Sequence, residues 1–317
     1  MPTSIKAFAL KLLGALLFLS AIAMWLSHAP DWPVEALVAR WAPPPSQFID
    51  LQGQLVHLRD VGPRDDPEPL VLVHGAASSL HTWEGWVKAL GGRRRIITFD
   101  LPGFGLSGPS PDDRYGGDRD ARFVLALMDR LRVPRFAIGG NSLGGEVAWR
   151  TALLAPERVT RLILVDTTGP VRGHDVVSLG GMLARVPVLP RVLEVLLPRP
   201  LVVAILRHIY GDPARLTSAQ VDRYYELLLR EGNRHAFVQR FRQRDAGQDA
   251  ERLHELKLPT LILWGGRDRL LPPSMAKQWQ QAIAGSELVV FDDLGHVPQE
   301  EDAARSAAPV QGFLAPR

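Results

Sequence analysis

Six short stretches of the chain, LVLVHG (70–75), RIITFD (95–100), RFAIGG (135–140), RLILVD (161–166), TLILWG (260–265) and ELVVFD (287–292), are apolar at nearly every consecutive position. Side chains alternate across a strand, so a run with no polar alternation predicts a strand covered on both faces, as in a parallel sheet. Upstream, QFIDLQ and QLVHLRDVG flank Gly53 and predict a hairpin. Between the runs lie amphipathic stretches, HTWEGWVKAL, DRDARFVLALMDRLRV, LGGEVAWRTALLA and SMAKQWQQAIA, the last with Ser274 as the expected cap after two prolines. Strand and helix alternate, which calls for an open α/β sheet with its reactive loops at the carboxyl ends of the strands.

One stretch breaks the rhythm. From 170 to about 250 there is no comparable strand, but SLGGMLARVPVLPRVLEVLLPRPLVVAILRHIY and SAQVDRYYELLLREGNRHAFVQRF have helical patterning. We read 170–250 as a helical cap inserted between the two parts of an α/β core, 47–169 and 251–317.

The N-terminus follows another pattern. Residues 5–26 are apolar except Lys6, Lys11 and Ser20, and the lysines precede the longest run. Residues 1–26 are therefore expected to be a signal anchor, or a signal peptide cleaved near Ala21-Ile22-Ala23, with the N-terminus in the cytoplasm. The catalytic body would then lie on the periplasmic side of a bacterial inner membrane or, after cleavage, be periplasmic or secreted. The stretch 27–46 holds five prolines, Pro43-Pro44-Pro45 among them, and reads as an extended linker.

Composition removes several chemistries. With no cysteine among 317 residues, a thiol nucleophile, a Cys-ligated metal and a disulfide are all impossible. Net charge is +3, from 37 Lys+Arg against 34 Asp+Glu, a balance that argues against nucleic acid. Arg93-Arg94-Arg95 reads as a solvated turn. No histidine pair has metal-motif spacing, so neither metal nor cofactor is expected.

Gly140-Asn141-Ser142-Leu143-Gly144 follows a predicted strand and opens a predicted helix, the context in which Gly-x-Ser-x-Gly acquires meaning. The alternative is a glycine-rich packing turn with an incidental serine. A serine hydroxyl needs a base, and the base an orienting acid. His296, in DLGH after the last predicted strand, and Asp268, in WGGRD after the one before, stand at the same sheet edge. Asp166 is an alternative acid, Asp292 and Asp293 are close neighbours of His296, and Asp100 reads as a turn-stabilising side chain. Ala76, leaving the third strand, and Leu143, next to the serine, can supply backbone N–H donors to an oxyanion. His74 reads as structural.

Taken together, His74-Gly75, DLPGFGLS (100–107), GNSLGG (140–145), WGGRD (264–268) and GHVPQEE (295–301) resemble the α/β-hydrolase superfamily over about residues 47–315, and within it the capped serine hydrolases with a membrane-anchored N-terminus. The resemblance implies a mostly parallel sheet flanked by helices, an inserted helical lid, Ser142 as nucleophile, Asp268 as acid, His296 as base, and Ala76 and Leu143 as the oxyanion hole. Members with an aspartate at the elbow are dehalogenases and epoxide hydrolases, so serine here points away from them. Asn141 looks like the elbow of meta-cleavage C–C hydrolases, although Val297 stands where many of those have tryptophan. The expectation is a hydrolase of carboxylic esters with an apolar acyl or alcohol group, with C–C hydrolysis or non-catalytic ligand binding as alternatives.

Overall fold

The computed structural model describes residues 2–92, 94–169, 194–243 and 250–315. Eight strands, β1 (Gln47–Leu51), β2 (Gln54–Val61), β3 (Leu70–Val73), β4 (Ile96–Phe99), β5 (Phe136–Asn141), β6 (Val159–Val165), β7 (Thr260–Gly265) and β8 (Glu287–Phe291), form one sheet in the order β1-β2-β4-β3-β5-β6-β7-β8. β2 runs antiparallel to both β1 and β4, and every pair from β4 through β8 is parallel. The predicted hairpin is present, with Leu51 opposite Gln54 and both turn residues, Gln52 and Gly53, at positive φ.

Five of the six apolar runs are strands with partners for both faces, whereas the sixth, β8, is the edge of the sheet and leaves Val290 exposed. Val71, Val73, Ile97, Phe99, Ile138, Leu162, Leu164 and Ile262 pack on one side; their neighbours Leu70, Leu72, Ile96, Ala137, Ile163, Val165 and Leu261 pack on the other. The first side is covered by α4 (Gly117–Arg130), α5 (Leu143–Leu154) and α9 (Ser274–Ala282), through Val124, Leu127, Trp149 and Trp279. The second is covered by α3 (Glu84–Leu90) and α11 (Ala303–Phe313), through Trp86, Val310 and Phe313. Each such side chain contributes about 1.5–3 kcal/mol by leaving water, so this double-sided core dominates stability. Ser274 is the first residue of α9, and the cap position is Pro273.

The chain order reverses at β3, which lies between β4 and β5. The loops after β3 and β5 diverge there, at the carboxyl edge, the place where open sheets of this kind bind ligands.

Between β6 and β7 the described part of the insertion is helical: α6 (Arg199–Ile209), α7 (Ser218–Leu228) and α8 (Asn233–Arg242). Val202 and Leu206 of α6 pack on Val221 and Tyr224 of α7, and Thr217 with Gln220 forms a capping box that starts α7. Of the expected helical stretch 178–210, residues 178–193 lie outside the described residues. α8 is fastened to the core by Arg240, which pairs with the buried Asp120 of α4, donates to the Pro102 carbonyl at 2.7 Å, and lies over the rings of Phe104 and Tyr115. Removing either partner of such a pair costs about 3–5 kcal/mol.

Three expectations change. The N-terminal segment is a helix, α1 (Pro2–Ser27), but among the described residues no helix is long and apolar enough to cross a membrane. After Lys11 the uninterrupted run to Leu26 rises only about 22 Å at 1.5 Å per residue, short of a ~30 Å hydrocarbon core. The inner-membrane anchor, the periplasmic placement drawn from it and the membrane as a partner are therefore not supported. Second, the stretch 27–46 is not extended throughout. It contains α2 (Val34–Trp41), begun at Pro33, whose Leu37 packs with Leu106 and Leu227 and whose Trp41 indole donates to Glu226 at 2.8 Å. Third, Arg95 is buried and ion-paired with Asp60 at 2.8 Å, not solvated.

Candidate active site

Ser142 is the N-cap residue of α5, held at φ 55° and ψ −117°. A non-glycine residue in this region carries strain of about 1–3 kcal/mol, which persists only where its surroundings over-determine it. Here they do. The Ser142 N–H donates to the Val165 carbonyl at 3.0 Å, and its own carbonyl accepts the N–H groups of Gly145 (3.0 Å) and Thr168 (3.2 Å). Gly144 must lack a side chain, because a Cβ there would collide with the Val73 carbonyl. The elbow is thus wedged between β3, β6 and its own helix.

The loop leaving β3 lies against it. A Cβ on Gly75 would stand 3.3 Å from the Ser142 Cβ, and Ser78 N–H closes a turn on the Gly75 carbonyl at 3.3 Å. His74, fully buried, spans this loop: Nδ1 meets the Gly75 carbonyl at 2.7 Å and Nε2 accepts the Leu101 N–H at 3.0 Å. Burial pushes its pKa down, which favours the neutral ring that this pairing requires. Leu143, first residue of α5, has an N–H with no acceptor inside the helix.

Asp268 and His296 meet. His296 Nδ1 lies 2.7 Å from Asp268 Oδ2, while Asp268 Oδ1 accepts the N–H groups of Leu270 (2.7 Å) and Leu271 (2.9 Å). Both side chains are buried. Asn141 links this pair to the elbow: its Nδ2 donates to the His296 carbonyl at 2.9 Å and to the Val165 carbonyl at 3.2 Å. The residue beside Ser142 therefore grips the backbone of the histidine. Among the described residues no hydrogen bond joins Ser142 Oγ to His296 itself.

The His296 loop is held by the cap. His296 N–H donates to the Ile209 carbonyl at the end of α6, at 2.7 Å. Glu301, on α10 (Pro298–Glu301), accepts the Gly295 N–H at 2.7 Å with one oxygen and the Gly211 N–H at 2.8 Å with the other. A Cβ on Gly295 would strike the backbone of Ile209 to Gly211. Burial raises the Glu301 pKa, against the pull of these donors and of Arg215. Beside it, Glu300 accepts the hydroxyls of Tyr210 (2.9 Å) and Tyr224 (3.0 Å) from the cap and pairs with Arg223 at 2.9 Å.

Of the other residues weighed from sequence, Asp100 serves its turn, accepting the N–H groups of Leu80 (2.7 Å) and Leu106 (2.8 Å) and facing His57 Nδ1 at 2.7 Å. Asp293 pairs outward with Arg215 and Arg305. Asp166 is buried close to Asp268 and His296, one ligand atom of each lying within 4.8 Å of the others. That trio has the donor types of a cation site, but the atoms joining Asp268 and His296 are committed to each other. Sequence reasoning missed the bonds of Asn141 and Glu301, although Glu301 stands five residues after His296 in the GHVPQEE motif.

A family model described as alpha/beta hydrolase fold matches residues 68–303. The dihydrolipoyllysine-residue acetyltransferase component of an acetoin cleaving system from Pseudomonas putida is 30% identical over 281 residues, 86% of this chain and 70% of that protein. The 2-hydroxymuconate semialdehyde hydrolase of a Pseudomonas species is 30% identical over 260 residues, 78% of this chain and 87% of its own. Among solved structures, a meta-cleavage product hydrolase from Pseudomonas fluorescens superimposes with a TM-score of 0.72 at 27% identity, covering 84% of this chain and 96% of that one.

Proposed function

The chain belongs to the alpha/beta hydrolase fold family, and from that premise we propose that it is a serine hydrolase cleaving carboxylic esters with an apolar acyl or alcohol group through an acyl-enzyme. The observation that carries the reading is a strained Ser142 whose chain neighbour Asn141 bonds the backbone of His296, the histidine paired with Asp268. In this mechanism His296 Nε2 takes the Ser142 proton as Oγ attacks the carbonyl carbon, and the imidazolium returns it to the leaving alkoxide. Water, deprotonated by the same nitrogen, then releases the acid and restores the serine. Asp268 holds the ring with Nδ1–H toward itself, leaving Nε2 as the base. The N–H groups of Ala76 and Leu143 receive the oxyanion, a role worth about 3–4 kcal/mol per donor. Hydrogen bonds between nucleophile and base tighten when substrate binds, so the mechanism does not require one between Ser142 Oγ and His296 beforehand. The cap, 170–250, selects the apolar group.

A second reading, hydrolysis of a C–C bond in a meta-cleavage product, is favoured by Asn141 and by two of the relatives above. One experiment ranks them. The full-length protein is assayed on a chain-length series of p-nitrophenyl esters beside a ring-fission product, with fluorophosphonate labelling read out by peptide mapping. Label at Ser142 with ester turnover, both abolished in Ser142→Ala, is the expected result. Turnover of the ring-fission product alone would move the assignment to the second reading, and a wild-type protein that never labels would end both.

A further inference from the structure

Asp166 directly follows β6, with its backbone at φ 43°, a conformation that L side chains rarely adopt. The fold accepts that strain and buries the carboxyl completely. Oδ1 accepts the Gly265 N–H at 2.8 Å, but Oδ2 is buried with no hydrogen-bond partner among the described residues. The titratable groups facing it are Asp268 after β7, His296 after β8 and Glu301 on α10. Two carboxyls sharing such a site do not both ionise, and one pKa rises strongly.

The donors decide which one keeps its charge. Asp268 receives two backbone N–H groups and the His296 ring, whereas Asp166 receives one N–H only. We infer that Asp166 holds a proton on Oδ2 and donates it as a hydrogen bond to the Asp268 carboxylate, so that the line behind Ser142 has a fourth member, a positioning residue. Burial and then the nearby Asp268 charge raise the Asp166 carboxyl well above the usual carboxylate range, in agreement. The hydrogen bond fixes the Asp268 carboxylate and shares its charge, weakening its pull on a protonated imidazole. This inference rests on the serine-hydrolase reading for its kinetic arm alone.

The test uses full-length wild type, Asp166→Asn and Asp166→Ala. The first measurement is the infrared carbonyl band of a buried neutral carboxylic acid, taken in a Ser142→Ala background so that it owes nothing to turnover. The band is expected with Asp166 and absent with asparagine; its absence with Asp166 would overturn the proposal. The second is kcat/KM on a p-nitrophenyl ester against pH. Alanine is expected to lower kcat/KM by about 10-fold and to move the acid limb up by about half a unit, because Asp268 no longer shares its charge. Asparagine keeps an acceptor for Gly265 and a donor for Asp268, so it recovers kcat/KM to within about 3-fold with the limb in place. If Asp166 were ionised, asparagine would remove a negative charge beside the imidazole and drop the limb by about one unit. That drop, or an alanine variant with lower thermal stability and an unmoved limb, would overturn the proposal. Should alanine fail to fold, the asparagine variant and the infrared band decide.

Discussion

The elbow and the histidine loop stand face to face but are held by different means. Ser142 is fixed from within the sheet, by Val165, by the closeness of Gly144 to β3, and by the first turn of its own helix. His296 is fixed largely from outside it, by the Ile209 carbonyl and by Glu301 bridging Gly295 to Gly211. The serine thus depends on backbone packing that every part of the core shares, while the histidine depends on how the helical insertion sits. Asn141 is a bond between the two regimes. In free-energy terms the first is steric and steep, and the second is a set of buried hydrogen bonds worth about 1–3 kcal/mol each when a partner is left unsatisfied.

The comparison can be broken most forcefully at the elbow. Gly144→Ala forces β3 and α5 apart and should cost 3 kcal/mol or more, read as a loss of soluble folded protein or a large fall in denaturant midpoint, on the order of the worst overpacking cases. A variant of near wild-type stability would mean that the elbow is looser than its contacts imply. On the other side, Glu301→Gln keeps the shape but supplies one acceptor where two N–H groups need one each. We expect kcat to fall about 10–100-fold with KM changed less than about 3-fold, as for a base moved out of line rather than a binding site damaged. Equal losses of kcat and stability without this split would place Glu301 in general packing. The smallest effect probes the loop that leaves β3. His81 bonds Ser79 Oγ at 3.0 Å and the Trp41 carbonyl at 2.7 Å, and burial pushes its pKa down to about 4. An unfolded histidine titrates near 6.5, so on acidification the unfolded chain takes up this proton first. The contribution is whole above about pH 6.5 and is lost as pH falls toward about 4. Melting temperature followed from neutral to acid pH should decline over that window, and His81→Gln should flatten this part of the decline.

Local chemistry explains what the chain itself announced. A serine between glycines at a strand end, and an aspartate and a histidine each just past its own strand, are dictated by short-range pattern, and the Asp268–His296 pairing is where that pattern pointed. The strands were readable for the same reason: two buried faces leave no room for polar alternation. What stayed hidden needed the folded surroundings. Nothing near Glu301 in sequence reveals that its acceptors serve Gly211, 90 residues upstream. Asp166 was visible as a candidate acid, but its place beside Asp268 is set by the register of β6 against β7. The proline count of 27–46 suggested an extended spacer because it gave no sign that Leu37 would find Leu106 and Leu227. The membrane anchor was read from hydrophobicity, but among the described residues no helix is long and apolar enough to cross a membrane.

The glycine-on-glycine seam where residue 211 meets residue 295 carries a lesson for anyone who would recombine such proteins. A transplanted lid from a cousin would bring its own loop into that seam, and unless it offered a bare backbone and a carbonyl in the place of Ile209, the graft would fold correctly in both halves yet leave the imidazole without its footing.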